Sequence, residues 1–172
     1  MNSREVALSA LFVAFTAVSS WVSIPLGPVP FTLQVFAVLL TGLLLGSRLG
    51  FIAMCAYVFA GSVGFPVFAN FTGGFAHLYG PTGGYLLAFP IAALVTGLFA
   101  ERSEKISIWV FGALVALGVI YLLGWLRLAL YFGGSFKKAL FIGVVPFMPL
   151  DVAKAILAVG IARAVKKTLP RL

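Results

Sequence analysis

The chain has 172 residues, of which 62% are hydrophobic and 9% charged, with a mean hydropathy of +1.15. A soluble domain is about one quarter charged, so this composition excludes a soluble surface and predicts a single all-α integral membrane domain over residues 1-172, long enough for about six spans of roughly 20 residues. The net charge of +8 sits at segment ends and forms no basic stripe on a polar face, which argues against a nucleic-acid partner.

The first apolar segment runs from about 6 to 24. Ala17-Val18-Ser19 looks like a cleavage site, but the run continues through Trp21 and only Arg4 precedes it, so the segment reads as a retained helix. Ala10-x-x-x-Ala14, with Ala7, forms a stripe of small residues. In lipid such a stripe marks a close-packing face, directed either into this chain or toward another subunit. Three prolines between Pro25 and Pro30 stop the helix. Segment two (about 31–45) carries Thr32 and Gln34 in its first turns, Gly46-Ser47-Arg48 predicts a tight turn, and segment three spans about 49–62.

Gly64 to Tyr85 holds two Gly-Gly pairs, two prolines, many aromatics and no charge. A structureless loop of that length is uncommon and usually functional. It is too apolar to lie free in water, so it is expected to fold over the helix ends as a lid or pocket wall. Segment four follows at about 82–100 and segment five at about 106–130, with Trp109 and Trp125 in interfacial or pocket positions. Gly133-Gly134 breaks the chain, and Ser135 is placed to cap a short helix over 136–145. Segment six, about 149–169, opens with Pro149 at the first helical position and ends in Arg163, Lys166, Lys167 and Arg171.

With six spans and an inner N-terminus, eight basic residues fall inside (Arg4, Arg48, Arg102, Lys105 and those last four) against three outside (Arg127, Lys137, Lys138). This satisfies the positive-inside rule and puts both termini in the cytoplasm. The twelfth basic residue, Lys154, lies three residues after Asp151, the one acidic residue inside an apolar run. That spacing puts both on one helix face, and ionisable groups at membrane depth mark a functional site. The topology lets Asn70, Gln34, Thr32, Tyr85, Asp151 and Lys154 converge near the outer surface, walled by Phe31, Phe68, Phe147 and Trp125. A carboxylate, an ammonium and an amide together suit a ligand edge reading N–H, C=O, N–H, such as a cyclic urea. The opposing reading is that Asp151 and Lys154 only neutralise each other.

Cys55 and His77 are each alone, so no disulfide or metal cluster is expected. No phosphate-binding glycine loop is present, since the first lysine is Lys105. The pattern is that of a binding subunit that performs no covalent chemistry, uses no cofactor and takes its energy from elsewhere. An autonomous carrier is the alternative.

Four stretches, Pro30-Phe31-Thr32-Leu33-Gln34, Gly64-Phe65-Pro66-Val67-Phe68, Gly80-Pro81-Thr82-Gly83-Gly84-Tyr85 and Pro146 to Lys154, resemble the BioY family, the biotin-specific S components of energy-coupling-factor (ECF) transporters. The resemblance runs nearly the whole chain. It implies a six-helix protein of a prokaryotic cell membrane that captures biotin from outside. It also implies docking through Ala10 and Ala14 onto a transmembrane coupling subunit carrying two ATPases. By position, the family's ureido-binding residues fall on Asp151, Lys154 and Asn70. The valerate carboxylate is left to Lys154, Gln34, or the backbone N–H groups of Gly73-Gly74 and Gly83-Gly84. Arg127 is given no role.

Overall fold

A computed structural model describes residues 1–168; the predicted end of segment six at Leu169, and Arg171, lie outside the described residues. Helix α1 (Ser3–Trp21) starts on a capping box, in which Asn2 Oδ1 accepts from the Glu5 N–H and the Glu5 carboxylate accepts from the Asn2 N–H. The chain then makes two short antiparallel strands, β1 (Ser23–Ile24) and β2 (Phe31–Thr32), Ser23 opposite Thr32. These replace the predicted last turn of segment one and first turn of segment two.

Helix α2 (Gln34–Ser62) contains Gly46 at φ 82° and ψ 179°, backbone that is essentially reserved for glycine. The chain doubles back there. A side chain at Gly50 would lie 3.0 Å from the Gly42 Cα, and Gln34 bonds Tyr57 near the far ends of the two arms. Residues 34–45 and 47–62 are thus antiparallel, with the predicted three-residue turn tightened to one residue. Glu101 seals the turn, accepting from the Ser47 N–H at 2.7 Å and from its hydroxyl.

The segment after α2 is less irregular than predicted. It forms a short 3₁₀ turn at Ala69–Phe71 and helix α3 (Ala76–Tyr79) before α4 (Gly83–Arg102) begins. Helices α5 (Ile106–Tyr131), α6 (Phe136–Gly143) and α7 (Met148–Thr168) complete the chain. Ser135 precedes α6 but makes no capping bond, contrary to expectation, and Pro149 is the second residue of α7.

Helix α4 is the centre of the bundle, packing most extensively on α2 and α5. Its backbone approaches α2 so closely that a side chain at Gly42 would collide with Thr96 and the Ala93 carbonyl. Among the described residues, three helices (α2, α4, α5) are long and apolar enough to cross a bilayer; α6 and α7, bent by 52°, make a fourth candidate when taken together. The architecture is that of a mostly helical, multi-pass membrane protein. The chain ends two groups of residues at opposite poles. One pole gathers the Gly46 turn, Glu101, Trp109, Arg163 and Lys166; the other gathers the β-ribbon, the 64–82 segment and the start of α7.

Candidate functional site

At that second pole lies a cavity of about 450 Å³. Its charged side comes from the first turns of α7. Asp151 and Lys154 are 4% and 7% exposed, and the Lys154 Nζ donates to Asp151 Oδ1 at 2.7 Å. The helical spacing read from the sequence brings them together. The ammonium also donates to the Thr32 carbonyl at 2.5 Å and lies 3.7 Å from the centre of the Phe31 ring, a cation–π contact. The second carboxylate oxygen, Asp151 Oδ2, accepts from the Tyr121 hydroxyl at 2.8 Å. Each charge therefore has a counter-charge and a further polar partner, which is what burial of an ion pair demands.

A polar chain continues from Thr32. Its hydroxyl accepts from the Gln34 N–H at 3.2 Å and lies 3.4 Å from Gln34 Oε1. The Gln34 amide donates to the Tyr57 hydroxyl, which donates to the Val67 carbonyl at 2.7 Å. Ser20 donates to the same carbonyl, and Trp21 to that of Pro66. The ends of α1 and α2 thus fix the start of the 64–82 segment, several residues of which line the cavity. Asn70 sits in that segment at φ 59° and ψ 31°, a left-handed conformation asparagine tolerates. Its Oδ1 accepts from Ser23 at 2.7 Å, tying the lid to the ribbon.

Phe31, Phe68 and Phe147 line the cavity. Phe31 and Phe147 stack with ring centres 6.3 Å apart and an 11° tilt. Tyr85 also lines it, its hydroxyl donating to the Gly143 carbonyl at 2.8 Å. Of the twelve predicted pocket residues, three do not line it. Trp125 points elsewhere, its indole N–H donating to the Phe136 carbonyl at 2.9 Å and its ring meeting Phe136 edge-on. Gly74 spends its N–H on the Gly61 carbonyl at 2.7 Å. Gly83 is buried against the Leu78 carbonyl, where any side chain would collide.

Sequence reasoning missed Tyr121, Tyr57 and Ser20. Tyr121 lies one helical turn before Trp125, on the same face of α5, and it is the member of that aromatic stripe that lines the cavity. Arg127 acquires a structural place: it donates to the Tyr79 carbonyl at the end of α3. On α1, Ser9, Thr16, Ala17, Ser19 and Ser20 are buried, whereas Ala7, Ala10 and Ala14 are exposed. The alanine stripe is therefore not used for packing within this chain.

The sequence model of the BioY family matches residues 1–171. The probable biotin transporter BioY of Pyrococcus horikoshii is 49% identical over 162 residues, covering 94% of this chain and 96% of that protein. The biotin transporter BioY of Thermotoga maritima is 45% identical over 164 residues, covering 95% and 96%. Among solved structures, the S-component for biotin from an ECF-type ABC transporter superposes with a TM-score of 0.89 at 28% identity, covering 97% of this chain and 95% of that one.

Proposed function

The chain belongs to the BioY family, and from that premise we propose that it is a biotin-capturing S component of an ECF transporter. The observation that carries the reading is the buried Asp151–Lys154 pair, which lines a cavity walled by aromatic rings and by residues of the glycine-rich 64–82 segment. The volume of about 450 Å³ falls in the range of small-molecule sites, which are mostly apolar with a few placed polar groups. The unshared lone pairs of Asp151 accept the two ureido N–H groups, and Lys154 or the Asn70 amide donates to the ureido oxygen. Phe31, Phe68 and Phe147 enclose the bicyclic ring. Thr32, Gln34 and Tyr85 hold these groups in place through the bonds described above.

In this reading six segments cross a prokaryotic cell membrane, the arms of α2 counting as two, with the cavity outside and both termini inside. The exposed Ala10–Ala14 face supports docking onto a coupling subunit that carries two ATPases, because small residues left uncovered on a lipid-facing helix invite close approach of a second backbone. The chain itself binds and carries out no covalent reaction.

Two measurements test this. Calorimetric titration of the purified chain with biotin should give a one-to-one complex; no heat of binding would end the proposal. Vesicles carrying the chain alone should accumulate no biotin, and accumulation should appear when the coupling and ATPase subunits are added. Uptake by the chain alone would favour an autonomous carrier.

A further inference from the structure

The polar groups of the cavity fall into two populations. On the α7 side all are engaged: Asp151 with Lys154 and Tyr121, Lys154 with the Thr32 carbonyl, and Gln34 with Tyr57. On the lid side Asn70 is bonded to Ser23 and Thr72 to the Ala69 carbonyl, but His77 and Thr82 are not engaged. The imidazole of His77 meets only the edge of the Phe68 ring, centres 5.7 Å apart. Neither that imidazole nor the Thr82 hydroxyl has a hydrogen-bond partner among the described residues, yet both line the cavity and both are half-buried.

We infer that His77 and Thr82 form an anion-accepting subsite on the lid wall, which receives the carboxylate of the ligand's acid tail. The inference rests on the biotin reading above and adds to it a basis for selecting an acid over its neutral derivatives. Several other groups that could serve have partners already, or are assigned to the ureido end of the ligand. Lys154 and Gln34 are bonded as just described, the Gly74 N–H goes to Gly61 and the Gly83 N–H to Gly80. An imidazole N–H donates to a carboxylate in either charge state, and a hydroxyl rotates to suit. No acidic side chain opposes an anion on this wall: Asp151 is on the α7 side, and Glu101 and Glu104 are at the other pole. The two donors arrive from α3 and from the residue preceding α4, so a carboxylate bonded to both joins the lid to the bundle.

The test compares biotin with biotinamide, which keeps both rings but ends in a neutral amide, by calorimetry on the purified full chain. The wild-type protein should prefer the acid by about tenfold or more, as a hydrogen bond to a charged group predicts. His77→Phe and Thr82→Val should each shrink that preference, with the loss falling mainly on the acid. His77→Gln, which retains an N–H donor, should preserve most of it. An unchanged preference in both His77→Phe and Thr82→Val would overturn the inference. So would an equal loss for both compounds in His77→Phe, which would reduce His77 to a packing partner of Phe68. A wild-type chain that binds neither compound would refute the biotin reading itself, and this inference with it.

Discussion

Replacing Asp151 by asparagine separates a binding role from a merely structural one. The carboxylate accepts from Lys154 at 2.7 Å and from Tyr121 at 2.8 Å. Asparagine keeps one acceptor oxygen and turns the other position into an N–H₂ group, which cannot pair with an ammonium. Lys154, 7% exposed, is left as an uncompensated buried charge, and breaking such a pair costs about 3–5 kcal/mol of stability. Loss of charged hydrogen bonds to the ureido group costs about 1.5–3 kcal/mol more in binding, or about 10- to 150-fold in Kd. The double variant Asp151→Leu/Lys154→Met removes both charges, and replacing a buried pair by apolar residues is often neutral for stability. Thermal unfolding should therefore show a large drop for Asp151→Asn and near recovery for the double variant, while calorimetry shows weak biotin binding in both. Biotin affinity within about twofold of wild type in the double variant would refute the reasoning, because the pair would then serve only itself.

Tyr121→Phe removes one bond from Asp151 Oδ2 and should weaken biotin binding by about fivefold to tenfold, in line with about 1–1.5 kcal/mol for one hydrogen bond; calorimetry reads it directly. Gly46→Ala places a side chain against Glu101 at a positive φ, and should cost about 1–3 kcal/mol, visible as a lower unfolding temperature with biotin affinity retained in the folded fraction. Ala10→Trp fills an exposed position on α1; it should leave biotin titration unchanged and abolish copurification with the coupling subunit. Normal recovery of the complex would exclude this face.

Much of the helical framework was legible because its signals are local. Apolar runs give the helices, and prolines and glycines give their ends. Asp151 and Lys154 were legible for the same reason: three residues apart on a helix, they share a face whatever the rest of the chain does. The errors arise where the answer depends on what lies across the fold. The β-ribbon is two residues per strand, too short for any alternation to register. Gly74 and Gly83 look from sequence like backbone donors facing a ligand, but the Gly74 N–H is spent on the Gly61 carbonyl at a positive φ, and the missing side chain of Gly83 lets Leu78 come close. Trp125 and Tyr121 are equivalent by helical phase, and only the position of α7 along α5 decides which of them reaches Asp151. The Tyr57 hydroxyl joins Gln34 to Val67, a link that requires the reversal at Gly46, and the sequence shows the turn without showing which residues its arms bring together.

Lys154 touches Asp151, the Thr32 carbonyl and the face of Phe31 at once. Its hydration shell was given up when the protein folded, so an arriving guest does not have to strip it. The template is set in advance, and little ordering remains to oppose the encounter. The speed of loading should then follow how quickly the overlying segment moves aside, and should vary little with the solvation of the two charges beneath it.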